Sequence, residues 1–227
     1  MSTRLEYLED AKAGLDFERD LFEAEGQRVG FWTASKVGLV CPRAYQRRSA
    51  FAAAAERSTA HGWPVYLRPT GGGTVPQGPG LDNLVLAFDA PRTATIEDGY
   101  RLLTEVIKKG LGPPGDTLKA GETPGSFCDG AWNLSVRGQK VVGTAQRWRP
   151  RGSRKPRVLA HALILTLDGF AAGAAAVAGL HQDLGLGEVL QDAHTSLEAA
   201  FGLTELPVEG LAAAAAQSLA VIDQKAE

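Results

Sequence analysis

The chain has 227 residues, of which 44% are hydrophobic and 22% charged, and its formal net charge is -2. That length and balance fit one well-buried core, exclude disordered and fibrous classes, and give no general reason to expect nucleic acid or an anionic membrane as partner. Cys41 and Cys128, the only cysteines, are too few and too isolated for a disulfide framework or a paired-cysteine zinc site, and read as cytosolic thiols.

The first residues lack a signal-type apolar core, and the longest apolar stretch, around Gly169 to Leu180, is too short to span a bilayer. A soluble, cytoplasmic protein is expected. Residues 8 to 25 carry Leu8, Ala11, Leu15, Phe17, Leu21 and Phe22 at roughly helical spacing, which predicts an amphipathic helix closed by Gly26. Val29 to Val40 reads as a strand pair broken near Ala34-Ser35. The alanine-rich run Arg43 to Ala60 reads as a helix stopped by His61-Gly62, and Trp63 to Leu67 as the next strand. Gly78-Pro79-Gly80 predicts a turn, Asn83 to Phe88 a strand and residues 96 to 109 a helix. The Gly- and Pro-rich residues 111 to 126 predict a long loop, of a length that is frequently functional. Asn133 to Val136 and Lys140 to Gln146 form a strand pair joined at Arg137-Gly138. The arginine-rich stretch from Arg147 to Arg157 reads by default as a solvated basic loop, Val158 to Leu167 as a long strand, and the remainder as helices broken near Gly185 and between Gly202 and Pro207.

This order predicts an α+β fold: a mixed, largely antiparallel sheet with helices packed against it. One domain is expected over residues 1 to 203, with residues 204 to 227 a helical extension of it.

Two segments carry chemistry. In Arg68-Pro69-Thr70-Gly71-Gly72-Gly73-Thr74-Val75, three glycines at a strand end let the backbone approach a ligand, and Arg68 offers a planar fork for a carboxylate or phosphate. A plain turn fits the glycines equally, and the segment lacks the Lys-Ser/Thr of a Walker loop and the spacing of a dinucleotide fingerprint. The second is Gly138-Gln139-Lys140-Val141-Val142-Gly143-Thr144-Ala145-Gln146. Here Lys140 is either solvated or a buried ammonium that stabilises developing negative charge, with Gly143 giving a ligand room. Cys128 opens the strand pair bearing Lys140, and a cation beside a thiol favours the nucleophilic thiolate; a small apolar residue under a loop is the alternative. His161, on the strand face of Leu159 and Leu163, is a hydrogen-bonded core residue or a site residue, and no second histidine stands at metal-ligand spacing. No protein-held metal is expected.

Taken in order, the Arg68 to Val75 segment, the Gly138 to Arg147 segment and His161-Ala162-Leu163-Ile164-Leu165 resemble the lipoate-protein ligase A and octanoyltransferase family, over roughly residues 1 to 200. The glycine motif is closer to the lipoate branch than to biotin ligases. The resemblance implies an enzyme that attaches a lipoyl or octanoyl group in amide linkage to a lysine of a lipoyl carrier domain or glycine-cleavage H protein. Lys140 matches the family's essential lysine. In the ligase branch, the first choice on sequence, lipoate and MgATP give an acyl-adenylate. Its pocket would be shaped by Arg68, Thr70, Gly71, Gly72, Gly73, Asn133, Gly143, Thr144, Ala145 and His161. In the alternative, an octanoyltransferase without ATP, Cys128 takes the acyl group from acyl carrier protein as a thioester. A non-catalytic acyl-binding protein is a third reading. Departures from the family pattern touch each reading: Cys128 stands on a shorter spacer, Ala131-Trp132-Asn133 replaces Arg-Asn-Asp, and Leu67, Gln77 and Ala162 replace arginine, histidine and glycine. The residues after Gly202 are too few for the accessory domain of longer ligases, so an ATP-dependent enzyme would need a separate accessory protein.

Overall fold

In the computed structural model, which describes residues 4 to 224, the chain runs β1 (Leu5–Leu8), α1 (Ala11–Glu23), β2 (Arg28–Ala34), β3 (Gly38–Pro42), α2 (Phe51–Ala60), β4 (Val65–Arg68), β5 (Val75–Gln77) and β6 (Leu81–Asp89). It continues through α3 (Ile96–Leu111), the single turn α4 (Pro113–Asp116), β7 (Lys119–Ala120), β8 (Leu134–Val136), β9 (Gln139–Arg151), β10 (Arg154–Leu165), α5 (Phe170–Leu184), α6 (Leu197–Phe201) and α7 (Val208–Gln224). The ends of the expected 1 to 203 and 204 to 227 segments, residues 1 to 3 and 225 to 227, lie outside the described residues.

The strands form two sheets, not one. Seven are ordered β1-β2-β6-β10-β9-β8-β7, and only the β1–β2 pair is parallel. The other three form a small sheet, β4-β3-β5, with β3 parallel to β4 and antiparallel to β5. The mixed, largely antiparallel character expected from sequence therefore holds. Among the described residues no helix is long and apolar enough to cross a membrane.

The alternation of β10 divides the core. Val158, Ala160, Ala162 and Ile164 pack with α3 and α7 on one face of the large sheet. Leu159 faces α1, while Leu163 and Leu165 face the small sheet, α2 and α5. His161 shares that second face, as its spacing predicted. α7 reaches α3 closely because Gly110 and Gly210 meet at the crossing, where a Cβ on Gly210 would lie 2.5 Å from the Gly110 carbonyl oxygen.

Three local expectations change. The opening helix starts at Ala11, not residue 8: the Asp10 carboxylate accepts the Ala13 N–H at 2.9 Å as an N-cap, and Leu5 to Leu8 pair with β2. The expected 43 to 60 helix is interrupted. Arg48 adopts an extended conformation, with its guanidinium 5.6 Å from the Tyr45 ring and donating to the Leu184 carbonyl at 3.4 Å, so tertiary docking overrides helix propensity. The basic stretch from Arg147 to Arg157 is a β-hairpin continuing β9 into β10, not a solvated loop. Arg147 and Arg149 lie 4.8 and 4.5 Å from the Phe22 ring, and Arg149 pairs with Glu23 at 2.7 Å.

Arg157 is the most constrained of these arginines. Fully buried, it donates to the carbonyls of Leu21, Phe22, Ala24 and Gly26 at 2.6 to 3.0 Å and to Asp89 at 3.2 Å. It thus satisfies the carbonyls that end α1 with a cation suited to the negative pole of the helix. Replacing Arg157 by methionine leaves those carbonyls and Asp89 unpaired, and is expected to lower unfolding stability by about 3 kcal/mol in urea titration.

Candidate active site

Phe127 and Cys128 sit where three distant segments meet. Lys140, at the start of β9, is fully buried, and its ammonium donates to the Phe127 carbonyl at 2.6 Å and the Cys128 carbonyl at 3.0 Å. The Phe127 N–H donates to His194 Nε2 at 3.0 Å, and the two rings stack with centroids 4.2 Å apart. His194 is brought there by a parallel bridge to Lys140, reinforced by the Thr195 N–H donating to the Lys140 carbonyl at 2.9 Å. Of the two alternatives for Lys140, the structure shows the buried one. Asp129 orders the rest of the loop by accepting from the Thr123 and Gly130 N–H groups and the Asn133 amide, each within 2.8 Å.

Cys128 itself holds a left-handed conformation, φ 50°, uncommon for a residue with a Cβ. Its sulfur accepts the Gly73 N–H at 3.0 Å and lies 3.8 Å from Arg68 Nη2. An N–H dipole and a guanidinium aimed at one sulfur stabilise negative charge there. The glycines are required by this contact. A Cβ on Gly72 would lie 2.8 Å from the Cys128 sulfur and one on Gly73 3.1 Å from the Cys128 Cα, and Gly72 has φ 95°. Gly143 is required similarly: its Cβ would lie 3.1 Å from Lys140 Cε.

Arg68 is spent differently from the sequence expectation. Its fork donates to the carbonyls of Val40, Gly71 and Gly73 at 3.1, 2.9 and 2.7 Å, so it holds the glycine loop closed, leaving only Nε without a protein partner. Cys41, by contrast, is inert: burial pushes its thiol up to about 11.

A narrow cleft, partly open to solvent, lies between the large sheet, the small sheet and α1, with Cys128 on its wall. Leu15, Trp32, Val40, Val75 and Leu163 make it largely apolar, and Arg68, Gly143, Thr144, Ala145 and His161 from the expected set line it. Gln77 and Asn83 also line it, but their amides are paired with each other at 2.9 and 3.0 Å. Thr70 touches the cleft through His161, 3.2 Å away. Asn133 does not line it; its amide serves Asp129.

Three residues were missed in sequence. Glu18, 4% exposed, accepts from Trp32 Nε1 at 3.2 Å and bonds His161 Nδ1 at 3.0 Å. Its signal was present, a carboxylate at the 11, 15, 18, 22 spacing of the apolar face of α1. His194 and Asp129 had none, because their partners are set by tertiary docking and loop geometry. Among the described residues there is no group of three or more His, Cys, Asp and Glu that could hold a metal ion.

A family model, the lipoyl protein ligase A/B catalytic domain, matches residues 45–217. An uncharacterized protein of Cupriavidus necator is 37% identical over 71% of this chain and 67% of its own length. An octanoyl-[GcvH]:protein N-octanoyltransferase of Kyrpidia tusciae is 37% identical over 44% of this chain, and a lipoyl-[GcvH]:protein N-lipoyltransferase of Listeria monocytogenes is 32% identical over 48%. The matched part spans only 36% and 37% of those two transferases. In fold, the chain is similar to lipoate-protein ligase A solved with ATP, with a TM-score of 0.69, 16% identity and coverage of 97% and 86% of the two chains. A T. acidophilum protein solved with lipoic acid gives a TM-score of 0.72 at 16% identity, with the same coverage.

Burial, and then the Lys140 ammonium, push His194 from 6.5 down to about 4. Its Nε2 must stay unprotonated to accept the Phe127 N–H. Between those two values the unfolded chain binds a proton that the folded chain refuses, so stability is full above pH 6.5 and falls as pH drops toward 4. The loss attributable to His194 is roughly 3 kcal/mol. Urea midpoints measured across that range should fall less steeply for His194→Gln, which retains an acceptor but does not titrate.

Proposed function

The chain belongs to the lipoyl protein ligase A/B catalytic-domain family, and we propose that it is an acyltransferase that moves an octanoyl or lipoyl group between carrier proteins through a thioester on Cys128. The observation that carries this reading is the Cys128 sulfur itself, at the edge of an apolar cleft with the Gly73 N–H at 3.0 Å and Arg68 at 3.8 Å. An adenylate chemistry makes no use of that arrangement, which moves the thioester ahead of the ligase reading placed first on sequence. The names of the Kyrpidia and Listeria relatives supply the donor class: acylated glycine-cleavage H protein, in place of the acyl carrier protein first considered. A lysine of a second lipoyl carrier domain is the acceptor.

The acyl chain lies along Leu15, Trp32, Val40, Val75 and Leu163, whose burial against it excludes water from the thioester. The Cys128 sulfur attacks the acyl carbonyl carbon, the S–C bond forms, and the donor lysine leaves as an amine carrying a proton. The acceptor amine then attacks the thioester carbonyl, the C–N bond forms, and the C–S electron pair returns to sulfur, where the Gly73 N–H receives the charge. Lys140 contributes through the loop. By holding the Phe127 and Cys128 carbonyls it keeps the nucleophile in its left-handed conformation and places a cation beside it. Burial lowers the Lys140 pKa from 10.5 to about 8, partly offset by Cys128 and Asp129, so the ammonium remains mostly charged at neutral pH.

Intact-mass measurement after mixing the protein with octanoylated H protein tests the proposal. One hydroxylamine-labile octanoyl adduct is expected, absent in Cys128→Ala, and Lys140→Met should slow transfer to a lipoyl carrier domain by about 10²-fold or more. Carrier acylation that requires free lipoate plus MgATP and survives Cys128→Ala would overturn the thioester reading in favour of the ligase.

A further inference from the structure

Both half-reactions move a proton, and Cys128, Gly73 and Arg68 offer no neutral base to take it. We propose that His161 is the general acid–base of the acyl transfer, with Glu18 as its positioning residue. The inference rests on the Cys128 thioester reading and adds a residue role to it.

Glu18 is a buried carboxylate with acceptor oxygens only, so the contact from His161 Nδ1 at 3.0 Å places the ring proton on Nδ1. In the neutral ring Nε2 then carries the lone pair and can accept the Thr70 hydroxyl, 3.2 Å away. The Trp32 indole N–H, 3.2 Å from the same carboxylate, holds Glu18 against rotation. A carboxylate that fixes one nitrogen of an imidazole while the other faces a reaction cleft is the arrangement general-base catalysis needs.

The cleft joins this pair to the nucleophile. Glu18, His161 and Cys128 all line it. Thr70, the partner of Nε2, belongs to the same loop as Gly73, the partner of the sulfur, and three residues of chain span at most about 11 Å. His161 and Cys128 thus line one cleft and are tied to two positions of the same glycine loop. The ionisable groups facing that space are Glu18 from α1, Arg68 from the end of β4, Cys128 and His161; Lys140 lies behind Gly143.

In the first half-reaction the thiol proton of Cys128 passes to His161 Nε2, which gives it to the departing donor lysine amine. In the second the acceptor amine takes the place of the Thr70 hydroxyl at Nε2. As its nitrogen bonds to the thioester carbon and the C–S bond breaks, the surplus proton on nitrogen moves to Nε2 and then to the Cys128 thiolate. Protons and electron pairs close over the cycle, and no further reactant is needed.

The test first loads the enzyme with octanoate from its p-nitrophenyl ester, whose leaving group needs no proton, and then follows transfer to a purified lipoyl carrier domain across neutral to alkaline pH. His161→Gln should load more slowly, because the thiol proton loses its acceptor, and once loaded should transfer about 10²-fold more slowly near neutrality, with the deficit narrowing as hydroxide replaces the base. Glu18→Gln should lower kcat with little change in KM. Added imidazole should restore transfer in His161→Ala, which a purely structural loss would not allow. Wild-type transfer rates in His161→Gln at every pH, or no response of His161→Ala to imidazole, would overturn the proposal. Failure of the Cys128 reading is read separately, as absence of any adduct on the wild-type enzyme; transfer rates from the donor that then proves competent still report on His161.

Discussion

One buried ammonium organises the site. Lys140 lies among apolar neighbours, where an unpaired cation would be costly, and the partners it finds are two consecutive backbone carbonyls and the face of the Phe127 ring, 5.1 Å away. Carbonyls satisfy a cation only partly, which is why burial still depresses its pKa. The compensation is geometric. Because the chain at Phe127-Cys128 must turn both carbonyls inward, it takes up the left-handed conformation that turns the thiol outward to Gly73.

Cys128 is thus held from both sides by groups that are themselves fixed. The glycine loop cannot retreat, since Arg68 clamps its carbonyls and is itself tied to Val40 in β3. The Phe127 peptide cannot rotate, since His194 and Lys140 take its N–H and its neighbouring carbonyl. Preorganised polar groups of this kind need no rearrangement when charge develops on sulfur. The small sheet ends in Arg68. Its contribution is to deliver the arginine and the three glycines to the edge of the large sheet.

Much of this was legible in the sequence. Apolar runs marked β6 and β10, which are buried on both faces, and the mixed polar and apolar run marked α3, which buries one. The Gly71 to Gly73 and Lys140 to Gly143 segments stood out because lysine in an apolar strand and three adjacent glycines are each poor choices for a surface without a task. What could not be read was the direction of the Arg68 fork, which serves the protein's own backbone, and the roles of His194 and Asp129, which no local pattern announces. The Arg147 to Arg157 stretch misled for a related reason. Charge density alone suggests a solvated loop, whereas four of these arginines, Arg147, Arg149, Arg151 and Arg157, are claimed by Phe22, Glu23, Asp89 and the open carbonyls of α1.

The bridge between Lys140 and His194 joins points 54 positions apart in the chain. During synthesis, a ribosome that has completed β9 and β10 has made the cysteine, the lysine and the glycine loop, but the imidazole that receives the Phe127 N–H does not yet exist. The loop bearing the thiol therefore lacks this partner until the segment after α5 has been made and folds back over β9. Chain order alone leaves the Phe127 N–H of the nascent chain without its acceptor.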